Sequence, residues 1–251
     1  MLPNPSHLEA VNPVHQGVVY ALQSFKKERT LAIQIHGDAA FNGQGVVQET
    51  LQMSNLTGFS IGGTIHIIAN NQLGYTATAN SGRSARYASA PAKMIGAPII
   101  HVNGDAPEQV ARAAMLAIQY QERWGKDIVI DMVCYRRHGH NELDEPNFTQ
   151  PTMYKVINNR KTLPVAYAEK LAESNIMSLE NAEEIRKGAF ESLDMALKQS
   201  ETFKPTKFGL QKDLDLGKND VMGTGFPRKK LEEAIAGSVS LPLDFVSYDA
   251  A

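Results

Sequence analysis

Two oxygen-bearing side chains follow two apolar runs of the sequence, each at the point where the run ends. Asp38 follows the run that begins at Leu31, and Asn71 follows the run from Thr64 to Ala69. One predicted helix, Gly45 to Asn55, separates them, so the runs fit neighbouring parallel strands whose carboxyl ends meet at one edge of a sheet. Mg²⁺ prefers oxygen ligands and usually keeps positions for phosphate oxygens and water. The pattern therefore favours a site for a magnesium-bound diphosphate.

Each half of this pattern also has an ordinary structural interpretation. An Asp after a strand is often a helix cap or a turn residue, and Asn70-Asn71 is a common loop pair. Other phosphate motifs fail, because Gly43 and Gly45 lack the third glycine of a dinucleotide fingerprint and come too late after the strand. The sequence has no glycine loop that ends in Gly-Lys-Ser/Thr, and no His/Cys spacing of a zinc site.

Four runs rich in Ile and Val predict the strands that position these side chains. Nearly continuous apolar runs are typical of strands buried on both faces, as in a parallel sheet. The predicted strands are Leu31–Ile35, Thr64–Ala69, Pro98–Val102 and Ile128–Cys134. Helical patterns alternate with them, most clearly from Pro107 to Trp124. The alternation predicts an α/β fold with a doubly wound parallel sheet and right-handed crossovers.

Three polar segments follow the predicted strands and are expected to face one site, since ligands bind outside the carboxyl ends of such strands. They are the loops 36–43, 70–90 and 136–150. Residues 7–28 have a helical pattern that Pro13 is expected to break or kink. Residues 152–200 have a charged helical pattern. We expect a domain over residues 1–205, with trailing helices, and a linker or extended arm over residues 206–251.

The composition limits the class of protein. The 251 residues are 43% hydrophobic, and a net charge of -2 with both signs interspersed argues against a nucleic-acid surface. No apolar stretch approaches the roughly 20 residues of a membrane helix, and no secretory signal is visible. Cys134 is the single cysteine and is interpreted as a small core residue. We expect a soluble intracellular chain.

Five segments of the sequence resemble one known family. They are NPSHLE (4–9), HGDAAFNGQGVVQETL (36–51), GGTIHIIANNQLGYT (62–76), RSARYASAPAKMIGAPIIHVNGDAPEQV (83–110) and CYRRHGHNELDEPNFTQPTMY (134–154). Over roughly residues 3 to 175 the chain resembles the E1 component of 2-oxoglutarate dehydrogenase, a thiamine-diphosphate-dependent 2-oxo acid dehydrogenase. The resemblance implies the diphosphate-binding half of that fold, with a C-terminal helical segment and an extended arm.

The resemblance implies an enzyme that decarboxylates 2-oxoglutarate and passes the succinyl group to a lipoyl-lysine. It implies thiamine diphosphate and Mg²⁺ as cofactors, and as partners the E2 dihydrolipoyl succinyltransferase and the E3 component of a 2-oxo acid dehydrogenase complex. An E1 for 2-oxoadipate stays open as an alternative. The family's location implies the cytoplasm of a bacterium or the mitochondrial matrix of a eukaryote.

Site residues are carried over by position. Asp38 and Asn71 would bind magnesium through their side chains, and Leu73 through its backbone carbonyl. The cofactor contacts implied by the resemblance are Ser6, Leu8, Asp38, Ala39, Asn71 and Leu73. His140 is a candidate diphosphate donor or, equally, a histidine that stabilises its loop. His36 and His101 are expected to be hydrogen-bonded structural residues.

The segments that supply the family's substrate-facing His and its pyrimidine-activating Glu have no counterpart in this sequence. The resemblance therefore assigns no catalytic residue and implies a chain that is truncated at both ends and inactive alone. We expect a homodimer or a complement to a chain that carries the pyrimidine-binding domain. The alternative is a non-catalytic binding module that pairs with a full-length partner of the same type.

Overall fold

The computed structural model describes residues 2–26, 30–204 and 225–241. The chain divides into two units, Met1–Met195 and Ala196–Ala251. The predicted domain boundary after residue 205 lies outside the described residues. Within residues 225–241, part of the predicted linker or arm, the structure has a helix. Among the described residues, no helix is both long and apolar enough to cross a membrane.

The first unit is built on a sheet of four parallel strands in the order β1–β2–β6–β5. A small antiparallel pair, β3–β4, follows β2. The strands are β1 Ala32–Gly37, β2 Thr64–Asn70, β3 Leu73–Gly74, β4 Ala77–Thr78, β5 Ile99–Asn103 and β6 Ile128–Val133. All four predicted strands are confirmed, and so is the α/β class with a parallel sheet. The β3–β4 pair was not predicted.

Helices cover both faces of the sheet. The helices are α1 Val11–Lys26, α2 Asp38–Gly43, α3 Gly45–Met53, α4 Ala79–Gly82, α5 Pro107–Trp124, α6 Pro151–Asn158, α7 Leu163–Glu173, α8 Leu179–Ser200 and α9 Arg228–Val239. On one face, the buried Phe41 and Leu51 of α2 and α3 pack against Ile68. On the other face, Ala113 and Ala117 of α5 pack against Ile65 and neighbouring strand residues.

Two local predictions were wrong. Pro13 neither breaks nor kinks its helix, because α1 begins at Val11 and Pro13 lies in the first turn, where the missing N–H needs no partner. Residues 36–43 are not a loop, because β1 continues to Gly37 and α2 begins directly at Asp38. Ala39 and Ala40 have high helix propensity and support this short helix.

A chain of buried polar groups crosses one face of the sheet. His36 Nδ1 lies 2.6 Å from Glu9 Oε2, and His36 Nε2 lies 3.0 Å from His66 Nδ1. His66 Nε2 lies 3.5 Å from Asp127 Oδ2, and Asn12 donates to Glu9 Oε2 over 2.6 Å. These five residues are all buried. The chain attaches the segment before α1 to β1 and β2, and it confirms His36 as a hydrogen-bonded structural residue.

The second histidine interpreted as structural, His101, lies on β5. Its Nδ1 lies 3.2 Å from Asp131 Oδ2, although the imidazole is 40% exposed. Asp131 is fully buried and also accepts hydrogen bonds from Asn70 and Ser89. This contact is an ion pair when the ring is protonated, and the ring stands at the surface of the sheet edge rather than in the core. The interpretation of His101 as a hydrogen-bonded structural residue is therefore not confirmed.

Gly63 provides a test of the packing that starts β2. Its φ is +90°, and a Cβ atom there would lie 2.5 Å from the backbone carbonyl of Lys126. We predict that Gly63→Ala lowers the free energy of unfolding by about 3 kcal/mol, because a positive φ and a backbone clash both act against a side chain. Chemical denaturation measures the change.

Gly17 serves as the matched control. It is exposed within α1, and a Cβ there would meet nothing within 4 Å. Gly17→Ala should raise the free energy of unfolding by about 0.5–1 kcal/mol, because alanine loses less backbone entropy in a helix. Equal effects of the two substitutions would contradict the packing seen around Gly63.

The buried histidines predict a pH dependence of stability. Burial is the main cause that lowers the pKa of His36, and the neighbouring His66 lowers it further, whereas Glu9 raises it. Burial also lowers the pKa of His15. In the unfolded chain these rings take up protons near pH 6.5, which the folded chain resists. Stability is therefore fully present above about pH 6.5 and falls as the pH drops through the folded-state values.

We predict that His36→Asn makes this decline shallower by up to about 1.4 kcal/mol per pH unit, the contribution of one proton. Denaturation curves between pH 5 and pH 8, recorded in a chelator to keep the chain metal-free, measure the slope. Parallel stability profiles for the two proteins would show that His36 does not resist protonation in the folded state.

Candidate functional site

A cavity of about 230 Å³ lies at the carboxyl edge of the sheet, where β1 and β2 end. Segments from four parts of the chain line it: the stretch before α1, the β1–α2 junction, the turn after β2, and the segment after β6. Five of the six predicted cofactor residues line this cavity: Leu8, Asp38, Ala39, Asn71 and Leu73. The sixth, Ser6, is exposed and is not among the lining residues. The structure therefore brings the predicted Asp and Asn to one cavity.

The sheet register explains why Asp38 and Asn71 share this edge. Gly37, the last residue of β1, pairs with Ala69, and β2 ends one residue further along at Asn70, so the two parallel strands end at nearly the same level. Asn71 follows one residue later and begins the turn into β3. The convergence follows directly from pairing two parallel strands in register.

Asp38 is a buried carboxylate, with a relative exposure of 1%. Burial is the main cause that raises its pKa, and the Arg83 guanidinium and nearby backbone N–H groups act in the opposite direction. Arg83 Nη1 donates to Asp38 Oδ2 over 3.0 Å, and the Arg83 side chain is itself only 9% exposed. The Asp38 carboxylate is thus shielded from water, and the Arg83 guanidinium balances its negative charge.

The turn from Asn71 to Leu73 has an uncommon backbone. Gln72 has a φ of +67°, in the left-handed region that few residues other than glycine adopt. Asn71 Oδ1 accepts a hydrogen bond from the Leu73 N–H over 3.1 Å, and Gln72 Nε2 donates to the carbonyl of Cys134 over 3.0 Å. These bonds hold the turn against the end of β6. Strained backbone of this kind concentrates at functional sites.

Small residues let this turn approach the β1–α2 junction. A Cβ atom on Gly74 would lie 2.7 Å from the Cβ of Ala39, closer than side chains tolerate. Leu73 is buried and packs against Tyr154 and Ile157 of α6. The turn therefore packs between α2 and α6.

Arg136, His140 and Glu9 are among the other polar side chains that line the cavity. Arg136 donates from Nη2 to the Tyr75 carbonyl over 3.1 Å and from Nε to the Tyr154 hydroxyl over 3.3 Å. His140 lies edge-on to the Tyr75 ring, with ring centroids 4.9 Å apart. Glu9 also lines the cavity, and its carboxylate contacts Asn12 and His36.

Sequence reasoning missed Arg83, Arg136 and Glu9 as members of this neighbourhood. Arg136 had a usable signal, because it follows a predicted strand in one of the loops expected at the site. Glu9 had none beyond its place after Leu8. Arg83 lies in the loop 70–90, which was also expected at the site, but nothing in the spacing indicates a contact with Asp38.

The chemistry of the donor groups limits what the cavity could bind. Across residues 2–26, 30–204 and 225–241, no three His, Cys, Asp or Glu side chains cluster as metal ligands would. A cation beside Asp38 would therefore depend on neutral oxygens, such as amide and backbone carbonyls, and on oxygens of a bound ligand. Hard cations such as Mg²⁺ suit such a set, and zinc does not.

Cys134 lies just beyond β6 and is half-buried rather than in the core. Burial is the main cause that raises the pKa of its thiol, and the nearby Asp38, Asp105 and Asp131 raise it further. The thiolate form is therefore disfavoured, and a nucleophilic role is not supported.

Comparisons with known proteins show which family the chain resembles. The family model described as "Dehydrogenase E1 component" matches residues 1–208. The 2-oxoadipate dehydrogenase complex component E1 of Danio rerio is 43% identical over 99% of this chain, and that of Homo sapiens is 47% identical over 84%. The 2-oxoglutarate dehydrogenase E1 component of Rickettsia felis is 41% identical over 96%.

The aligned regions cover 29%, 24% and 26% of these three relatives, so the chain spans about a quarter of their length. The family model covers most of the chain, including every residue that lines the cavity. The chain belongs to the dehydrogenase E1 component family.

Proposed function

We propose that this chain is the magnesium- and diphosphate-binding portion of a thiamine-diphosphate-dependent 2-oxo acid dehydrogenase E1. The observation that carries the proposal is the buried Asp38 carboxylate, which shares one cavity with Asn71 and Leu73 at the ends of two parallel strands. A buried carboxylate is costly unless a cation balances it, and burial raises the pKa of Asp38 even with Arg83 beside it. A divalent ion beside Asp38 would further stabilise the negative charge of this buried carboxylate.

The residues fit that cofactor. Asp38 and Asn71 would hold Mg²⁺ through side-chain oxygens and Leu73 through its carbonyl. Asn71 Oδ1 already accepts the Leu73 N–H, and its second lone pair stays available for a metal. The small Ala39 would let the backbone approach the diphosphate. Leu8 and Ser6 would lie on the side of the organic part of the cofactor, Leu8 in the cavity wall and Ser6 on the exposed segment before it.

When bound, thiamine diphosphate supplies the carbon nucleophile that 2-oxo acid decarboxylation needs. The part of the reaction that we propose for this chain is to anchor and orient the diphosphate end through its metal. Arg136 and His140 line the same cavity and are suited to donate to phosphate oxygens.

We propose a dicarboxylic 2-oxo acid as the substrate of the whole enzyme. Relatives named for 2-oxoadipate are 42–47% identical to this chain, and relatives named for 2-oxoglutarate are 41% identical. This small difference favours 2-oxoadipate, whereas the motifs in the sequence resembled the 2-oxoglutarate enzyme. The two acids differ by one methylene, which a pocket discriminates weakly.

The acyl group would pass to the lipoyl-lysine of an E2 partner in a complex that also holds E3. The compartment stays a prediction, namely the bacterial cytoplasm or the mitochondrial matrix.

Magnesium-dependent binding tests the site. We predict that the chain binds thiamine diphosphate weakly and only with Mg²⁺, and that Asp38→Ala abolishes binding because it removes the single charged ligand. Titration calorimetry with and without Mg²⁺ measures this. Asp194→Ala, which removes an exposed carboxylate on α8, is the matched control and should bind like the wild type. Metal-independent binding, or binding that survives Asp38→Ala, would refute the site.

Complementation tests the function. We predict that the chain alone has no decarboxylase activity, and that mixing it with a chain that carries the pyrimidine-binding domain restores turnover. Initial rates with 2-oxoglutarate and 2-oxoadipate then give the preferred acid as a ratio of kcat/KM values. If chains that pair stably and bind the cofactor show no turnover with either acid, a non-catalytic binding module becomes the better description.

A further inference from the structure

We propose that Arg83 couples the binding of the metal to the binding of the diphosphate. In this proposal Arg83 is the counter-ion of Asp38 while the site is metal-free, and its guanidinium moves to a diphosphate oxygen when the metal takes the carboxylate. The inference rests on the proposed function and names a residue that positions charge in the same site.

In the structure, Arg83 is the ion-pair partner of Asp38, the candidate metal ligand. Its Nη1 donates to Asp38 Oδ2 over 3.0 Å, and the two side chains are 9% and 2% exposed. Arg83 follows directly after α4, and its backbone N–H donates to the Ala79 carbonyl over 3.2 Å. The side chain is therefore held beside Asp38 by the fold of its loop rather than by a chance surface contact.

A buried pair of this kind resists separation. Removing one partner leaves the other charge out of water without compensation, which is strongly unfavourable. A divalent ion that binds alone would take the carboxylate from Arg83 and place three positive charges around it. Glu9, the other carboxylate in the cavity wall, is already engaged by His36 and Asn12. The structure therefore opposes binding of the metal by itself.

A diphosphate changes this balance, because it brings several negative charges together with the metal. The displaced guanidinium then has new acceptors within the same site, and its planar set of donors matches phosphate oxygens well. The metal and the diphosphate would each bind more tightly in the presence of the other. Arg83 would link the two binding events, because it leaves Asp38 when the metal binds and then contacts the diphosphate.

Arg136 is the useful comparison. It also carries a positive charge at the cavity, but its donors go to the Tyr75 carbonyl and the Tyr154 hydroxyl rather than to a candidate metal ligand. A loss of Arg136 should weaken diphosphate binding without making the metal bind more tightly by itself. The two substitutions therefore differ in their effect on the affinity for Mg²⁺ alone: loss of Arg83 should increase it, and loss of Arg136 should not.

The experiment compares the wild type, Arg83→Met and Arg136→Met by calorimetry in two titrations. The first adds MgCl₂ alone, and the second adds thiamine diphosphate at a fixed excess of Mg²⁺. For Arg83→Met we expect Mg²⁺ alone to bind about tenfold more tightly and thiamine diphosphate about tenfold more weakly, so that the coupling is lost. Arg136→Met should show only the weaker thiamine diphosphate binding.

Each outcome decides the proposal. Weaker binding in both titrations, or no change in either, would overturn the coupling role of Arg83 and leave the proposed function standing. A wild-type chain that binds no thiamine diphosphate in excess Mg²⁺ would overturn both. Circular dichroism checks the fold of each variant. If Arg83→Met does not fold, Arg83→Gln removes the charge but keeps a donor for Asp38, and the same opposite changes are expected.

Discussion

The burial of one carboxylate constrains most of the site. Asp38 stands where β1 passes into α2, almost wholly out of water, and its ionised form is stable only with cations and N–H donors nearby. The surrounding chain is arranged to meet that condition. Arg83 contacts it from the end of α4, and the turn from Asn71 to Leu73 brings neutral oxygens to the same cavity. An apolar residue at position 38 would remove the need for both.

The sheet supports this arrangement with a second set of buried polar groups. Glu9, His36, His66 and Asp127 form a connected chain across β1 and β2, and Glu9 also lines the cavity. The segment before α1 is thereby tied to the strand that carries Asp38. Hydrogen bonds link His66 to His36 and His36 to Glu9, whereas His66 Nε2 and Asp127 Oδ2 lie 3.5 Å apart without forming one.

Much of this fold is predictable from sequence, and the reasons are physical. Runs rich in Ile and Val made all four strands of the main sheet visible. The expected burial on both faces holds for β2 and β6, whereas β1 alternates between buried and exposed residues. The convergence of Asp38 and Asn71 was predictable because parallel strands end at a shared edge. The short helix α2 was missed because its sequence has glycines around it and too few residues for a periodic pattern. Pro13 was misjudged because the start of α1 depends on how residues 9–12 pack, not on the proline itself.

The rest of the site depends on contacts between residues that are distant in sequence. Arg83 meets Asp38 only because the loop between β2 and β5 folds back through the β3–β4 pair and α4, elements too short to leave a pattern. The family match includes both Asp38 and Arg83, but sequence similarity alone does not show that the Arg83 guanidinium is bound to the Asp38 carboxylate.

That contact bears on what kind of site this is. A site for a bare divalent ion gathers several carboxylates, as calcium-binding loops do, so that the protein alone supplies the negative charge. Here the protein supplies one carboxylate in the immediate neighbourhood and opposes it with an arginine, so most of the charge that a metal needs must come from the ligand. The arrangement therefore favours a metal that arrives with an anionic ligand over a metal alone. This is the electrostatic argument for the proposed magnesium diphosphate over a structural metal.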